Sequence, residues 1–263
     1  MNNIFKYRRL IARTISEAIA CLSHARNPPE GFRVLTYHAV GTPALGDRMG
    51  IFSVTPERFR RHMALLSAWK HGSVVELSET ALLGEGSRIA ITFDDGYLDN
   101  LEVAAPILIE LGLPFTVFMT SEFVRKRRAG FLSPSAVREL ARLPGLQIGA
   151  HSANHIPLSR CDDSSLRNEL VSSKHYLEDI LGSEVRMLAY PYGAANRRVR
   201  DYALDAGYSL GACSFAGINQ PERDPMLLSR TEILSFDNER VFSQKLHGDW
   251  DWYRWHVQDP ACF

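Results

Sequence analysis

From residue 32 onward the chain repeats one pattern: a short run of β-branched and aromatic residues, then a longer stretch with apolar side chains at helical spacing. The runs fall at residues 32–37, 89–93, 115–119, 146–150, 186–190, 208–212 and 227–233. Between them, Leu101, Ala104, Ala105, Leu108 and Leu111 make one apolar stripe, and Leu166, Leu170, Leu177 and Leu181 make another. Gly112-Leu113-Pro114 and Gly182 supply the helix stops. Strands joined through helices run parallel, because each helix returns the chain to the starting edge of the sheet. About seven such strands specify an α/β domain with helices outside, as an open sheet or a closed barrel. In either form ligands gather where the strands end.

Composition bears on partners. The 263 residues hold 30 Lys plus Arg and 30 Asp plus Glu, a formal net charge of zero, so bulk positive charge is not available to bind nucleic acid. Cys21, Cys161, Cys213 and Cys262 lie far apart with no Cys-x-x-Cys pair. That usage argues against a disulfide scaffold and fits a reducing compartment. No apolar run approaches the roughly 20 residues of a membrane-spanning helix.

Ahead of the main domain, Lys6, Arg8 and Arg9 precede apolar positions Ile11, Ile15, Ala18, Ile19 and Leu22 at helical spacing. Arg13 and Glu17 interrupt the continuous apolar run of a secretory signal; no signal peptide is recognised, and a cytoplasmic location is expected. The segment 1–31 therefore reads as an amphipathic helix with two placements. It packs on the domain, or it lies on anionic lipid at the inner membrane face with its basic residues toward the headgroups. Asn27-Pro28-Pro29-Glu30-Gly31 breaks it, leaving a main domain over 32–247 and an aromatic-rich tail over 248–263.

Three motifs sit at predicted strand ends. In Thr92-Phe93-Asp94-Asp95-Gly96 a strand runs into two adjacent carboxylates and a glycine. Alternation sends the two acids into different surroundings, which allows one to hold a metal and the other to take a proton; a turn with a helix cap is the plainer alternative. A phosphatase of the Asp-x-Asp type is disfavoured because these acids are contiguous. His151-Ser152-Ala153-Asn154-His155 spaces two imidazoles four apart, on one side if the backbone turns helically. Two histidines and one Asp would leave coordination positions open for water. Tyr190-Pro191-Tyr192-Gly193 forms a constrained turn able to aim a main-chain N–H at a developing oxyanion, or simply a turn.

Taken together, these motifs make residues 32–247 resemble the polysaccharide deacetylases, the NodB-homology group of carbohydrate esterase family four. The resemblance implies a distorted (β/α) barrel of about seven strands that removes N-acetyl groups from N-acetylhexosamine units of a polysaccharide, oligosaccharide or glycolipid. It implies Asp94 as general base, with Asp95, His151 and His155 as ligands of a divalent metal whose water attacks the amide. Zinc suits two imidazoles and a carboxylate, and Fe(II), Co(II) or Ni(II) would accept the same set. Tyr192 would give its backbone N–H to the oxyanion. Alternatives on the same fold are a deformylase or deacetylase of a small lipid-linked amino sugar, and a catalytically silent carbohydrate-binding protein.

The chain departs from the family pattern twice. Ala189 stands where many members have an arginine that holds the catalytic aspartate; Arg230 is the candidate replacement, a surface ion pair being its other reading. The late Leu-x-His motif that usually supplies the general acid is missing, and His247 matches it poorly. His38, in Tyr37-His38 at the end of the first strand, is the better candidate acid, or else a hydrogen-bonded rim histidine. Two features stay outside this scheme. Arg125-Lys126-Arg127-Arg128 is a solvated loop or a grip for phosphate on a lipid-linked sugar. Trp250, Trp252 and Trp255 pack on the barrel or offer a stacking or interfacial patch.

Overall fold

The computed structural model describes residues 2–23, 27–252 and 259–261. It opens with α1 (Asn2–Ser23), β1 (Gly31–Tyr37), β2 (Ala39–Val40), β3 (Ser53–Val54), α2 (Pro56–Ser67), β4 (Gly72–Val74), α3 (Glu79–Leu83) and β5 (Ser87–Phe93). Then come α4 (Ala105–Glu110), β6 (Phe115–Met119), α5 (Ser121–Arg125), α6 (Pro134–Leu140), β7 (Leu146–Ala150) and α7 (Asp163–Leu181). The last elements are β8 (Met187–Ala189), α8 (Arg197–Asp205), β9 (Leu210–Ala212), β10 (Arg230–Glu232) and α9 (Glu239–Leu246).

The main sheet runs β10-β1-β5-β6-β7-β8-β9, every pair parallel, with β4 joining the first half of β5. The run-in to β10 nearly closes it: the Leu228 amide donates to the Gly211 carbonyl and the Cys213 amide to the Leu228 carbonyl, both at 2.8 Å. Gly211 is required at this seam, since a Cβ there would lie 2.3 Å from the Met226 carbonyl oxygen. The outcome is the expected distorted (β/α) barrel. All seven predicted runs contain a main-sheet strand, and the last three strands are shorter than predicted because their ends bend into loops. β2, β3 and β4, of two or three residues each, are too short to show a period in sequence.

Strand alternation sorts the side chains into two columns. Leu35, Tyr37, Ile89, Ile91, Phe93, Phe115, Val117 and Met119 belong to the core under the helices, which the predicted stripes at Leu108, Leu166, Leu170 and Leu177 complete. Phe32, Val34, Ala90, Phe118, Ala189, Leu210, Ala212 and Leu228 form the second cluster and fill the barrel. Continuing the inner column by twos past Val34 and Ala90 leads to Thr36 and His38, and to Thr92 and Asp94. The period of the strand thus delivers polar groups to the rim once the apolar plug ends.

The N-terminal helix forms but turns a different face inward from the one its apolar periodicity suggested. Ala12, Ser16 and Ala20 are buried, whereas Ile11 and Ile15 are 58% and 39% exposed. Small side chains four apart let the helix backbone approach closely, and polar ties secure it: Trp252 Nε1 donates to Ser16 Oγ at 3.0 Å and Arg240 pairs with Glu17. Trp250 donates to Gln244 at 3.1 Å, and Arg33 binds Asp251 through both nitrogens at 2.8 Å, so the described part of the tail packs on the barrel. Trp255 and Cys262 lie outside the described residues.

A buried polar contact fastens α2 to the barrel. His62 Nδ1 meets the Tyr37 hydroxyl at 3.1 Å, its Nε2 donates to the Asp237 carbonyl at 2.8 Å, and its ring stacks on Phe242 at 4.2 Å. Burial, more than the opposing pull of Asp237, lowers the His62 pKa from 6.5 to about 4. Between those values the unfolded chain binds a proton that the folded chain refuses, so stability falls as pH drops through that window. The full shift is worth about 3 kcal/mol. Denaturant unfolding at pH 7 and pH 4.5 is therefore expected to show His62→Gln losing about 2 kcal/mol less on acidification than the parent chain. Equal losses would remove His62 from the acid sensitivity.

Candidate active site

Asp94 and Asp95 follow β5 directly, and their backbone separates them. The Asp94 amide donates to the Tyr37 carbonyl at 3.0 Å, keeping Asp94 in the inner column, and Asp95 then adopts φ 73°. Their surroundings differ as the alternation suggested. Arg230 clamps Asp94 with its two terminal nitrogens at 2.7 and 2.8 Å, while its Nε donates to the Cys213 carbonyl at 2.9 Å. Both partners are buried, so Arg230 forms an interior fork rather than a surface pair. Asp95 instead turns to the histidines, its Oδ1 lying 3.5 Å from His151 Nε2 and 3.1 Å from His155 Nε2.

The two histidines converge without a helical turn. Residues 151–155 form a loop in which Ser152 and His155 take φ of 59° and 56°, and these two left-handed residues fold the chain back on itself. The His155 amide donates to Ser152 Oγ at 3.1 Å. From α7, Glu169 accepts the amides of Ala153 and Asn154 at 3.0 and 2.9 Å, and Ser173 donates to the Ser152 carbonyl at 3.0 Å. Sequence reasoning passed over Glu169. Its signal is available all the same: an acid three residues after Leu166 lies on the buried face of a helix, where it needs partners.

His151 is the better defined ligand candidate. Its Nδ1 lies 2.8 Å from the Ala189 carbonyl, which can only accept, so Nδ1 carries the proton and Nε2 presents a lone pair toward Asp95. Burial, against the pull of Asp94 and Asp95, lowers its pKa to about 4 and keeps the imidazole neutral at pH 7. His155, less buried and 3.1 Å from the Asp95 carboxylate, shifts upward despite its desolvation. Burial alone would raise both carboxyls; Arg230 and His151 bring Asp94 below its ordinary value, and the histidines do the same for Asp95.

The third motif turns at Pro191–Gly193 with Tyr192 at φ 59° and 67% exposed, its ring 4.7 Å from that of His155. Gly193 fits under a close approach, since a Cβ there would lie 2.6 Å from the Ser214 amide. His38 borders the site: its ring lies 4.9 Å from Phe52, and its buried Nδ1 has no hydrogen-bond partner. Its field contributes to the depressed pKa of both Asp94 and Asp95. A π-helical turn over Asn100–Ala104 sets the Asn100 amide against the His38 carbonyl at 3.0 Å. His247 lies elsewhere, bonded to Ser243 and packed on Trp69 and His71.

The residues present suit a cation. Ligand atoms of Asp95, His151 and His155 lie within 4.8 Å of one another, and the buried Asp95 Oδ1 finds no hydrogen bond in the protein. One guanidinium faces two buried carboxylates, which leaves a negative charge unbalanced.

Comparisons with known proteins agree with this geometry. Residues 84–211 match the family model described as polysaccharide deacetylase. The protein YxkH of Bacillus subtilis, named as a polysaccharide deacetylase, is 23% identical over 210 residues, covering 78% of this chain and 72% of its own. A peptidoglycan-N-acetylglucosamine deacetylase of Bacillus cereus is 28% identical over 148 residues, 54% of this chain and half of that protein. In fold, the deacetylase PplD of Streptococcus pyogenes, solved with acetate, superposes with a TM-score of 0.73 at 23% identity, covering 83% of this chain and 99% of that one. With the barrel and its three rim motifs, these matches show that the chain carries a polysaccharide deacetylase domain over residues 84–211, the domain of a family of carbon–nitrogen hydrolases.

Proposed function

We propose that the chain is a divalent-metal-dependent N-deacetylase acting on N-acetylhexosamine units of a polysaccharide, oligosaccharide or glycolipid, of the kind made as exopolysaccharide. The observation that carries this reading is the convergence of Asp95, His151 and His155 around an unpartnered carboxylate oxygen, beside a second carboxylate held by a different group.

An amide resists hydrolysis because its carbonyl is a poor electrophile and its nitrogen a poor leaving group. A divalent ion, most simply zinc, held by Asp95, His151 and His155 would supply Lewis acidity and lower the pKa of water to about 7. Asp94 lies 3.9 Å from His151 Nε2, close enough to take a proton from water entering that site. The Arg230 fork fixes the Asp94 carboxylate in position and keeps it ionised. The Tyr192 N–H, set by its left-handed turn, would donate to the oxyanion, a contribution on the order of 3 kcal/mol. His38 would protonate the departing nitrogen, its unpartnered Nδ1 consistent with a group that binds only in the transition state.

We also propose that the enzyme is cytoplasmic and rests on the inner membrane face through α1. In α1, Lys6, Arg8, Arg9 and Arg13 stand against one acid, Glu17, and Ile11 and Ile15 remain outward, a composition suited to anionic lipid. No helix among the described residues is long and apolar enough to cross a membrane. Sedimentation with vesicles containing anionic lipid should carry the protein down, and Ile11→Asp with Ile15→Asp should leave it in solution; equal behaviour of the two would end the membrane assignment.

The enzymatic proposal is tested by metal analysis and acetate release on N-acetylglucosamine oligomers. The parent chain should hold one divalent ion and release acetate, and Asp95→Asn should lose both. Metal with release of formate only from formylated sugars would redirect the substrate, and metal-free protein that binds glycan would make it a binding module. His38→Ala should keep its metal and lose at least about a hundredfold in turnover. Arg230→Gln strands a buried carboxylate and is expected to destabilise the fold by about 3–5 kcal/mol. Unchanged turnover in the first variant, or unchanged stability in the second, would remove the role given to that residue.

A further inference from the structure

The basic run Arg125-Lys126-Arg127-Arg128 has no part in the chemistry above, yet the structure fastens it to the site at both ends. At the start of the segment, the Ser121 and Glu122 amides donate to the carbonyls of Ser152 and Ala153, inside the histidine motif, at 3.2 and 3.0 Å. At its end, the Leu132 amide donates to the Gly96 carbonyl at 3.0 Å and the Leu98 amide to the Gly130 carbonyl at 2.9 Å, beside the paired acids. The rings of Tyr97 and Phe131 stack there at 4.7 Å. The four cations are therefore held on the rim between the two metal-binding motifs, which a loose loop would not achieve.

Two of the four are partly neutralised, since Glu122 lies 3.2 Å from both Arg125 Nε and Lys126 Nζ. Arg127 and Arg128 face no carboxylate among the described residues. The Arg128 guanidinium lies 4.5 Å over the Phe123 ring, and that ring is 6.2 Å from the His155 imidazole. Stacking of this kind holds the guanidinium plane still and leaves its N–H edges free to meet a pair of oxygens. Arg127 has φ 49°; among the described residues, the other non-glycine positions with left-handed backbone are Asp95, Ser152, His155 and Tyr192, all in the three rim motifs. Such conformations persist where the surrounding structure enforces them and concentrate at functional positions. The cationic field is also felt nearby: burial raises the Tyr176 pKa, and Arg125, Arg127 and Arg138 oppose that rise. A chain of zero net charge has gathered an excess of three positive charges over residues 122–128.

We propose that Arg127 and Arg128 form a subsite for an oxyanion carried by the glycan substrate, a phosphate or a carboxylate close to the acetylated sugar. Either group presents paired oxygens to a guanidinium fork, and the Phe123 ring alone lies between Arg128 and the His155 imidazole. This rests on the deacetylase reading, because it concerns the substrate bound at that same site.

Calorimetric binding and deacetylation are compared for the metal-loaded protein on three probes of equal length. These are a neutral N-acetylglucosamine oligomer, the same oligomer ending in a phosphate, and the same oligomer ending in a carboxylate. At low salt one or both anionic probes should bind about tenfold tighter than the neutral one, with the advantage shrinking as salt is added. The probe that gains identifies which oxyanion is read. Arg127→Gln alone should reduce the advantage, and Arg127→Gln with Arg128→Gln should erase it through KM, leaving metal content and neutral-probe kcat unchanged. Equal affinity for all three probes, or an advantage that survives the double variant, overturns the subsite. Absence of acetate release from every probe counts against the deacetylase reading instead, and the binding comparison still decides the subsite.

Discussion

Two buried carboxylates and one buried guanidinium leave a charge unmatched at the rim of the barrel, and the rest of the site is arranged around that imbalance. Arg230 satisfies Asp94 with both nitrogens, so Asp95 is the group left in need of a cation. His151 cannot provide one, because burial keeps its imidazole neutral with the lone pair of Nε2 exposed to the same space. His155 responds in the opposite direction, its proton affinity raised by Asp95. A divalent ion would meet these conditions together, offsetting the carboxylate and accepting a lone pair from each imidazole.

The closed parallel sheet is what makes this arrangement reachable. Asp94 and Arg230 stand 136 positions apart in sequence, yet β1 is the neighbour of both β5 and β10, so their ends meet across one strand. The plug of Phe32, Val34, Ala90, Phe118 and Leu228 fills the barrel below, and it excludes the water that would otherwise weaken the charges above. A solved structure at 23% identity shares this fold, as expected when packing tolerates many apolar combinations.

Much of this was legible in the residues themselves. The strand runs at 115–119 and 146–150 coincide with β6 and β7; β6 is buried throughout and carries the dense apolar signal of an interior parallel strand. The paired acids, the histidines and the Pro191–Gly193 turn announced themselves by falling at strand ends. What escaped was set by tertiary contact. The histidine loop folds through left-handed residues and a clamp from Glu169, neither of which a four-residue spacing reveals. In α1 the apolar period pointed to Ile11 and Ile15, but close packing selected Ala12, Ser16 and Ala20. Hydrophobicity alone does not say which face of a helix its neighbour can approach.

The most direct test is an anomalous-diffraction map from crystals grown with zinc. The account predicts one strong peak at about 2.0–2.2 Å from an Asp95 oxygen, His151 Nε2 and His155 Nε2 together, with Asp94 still gripped by Arg230. A peak bound by other residues, or imidazole nitrogens that turn away from Asp95 in the presence of the ion, would contradict it.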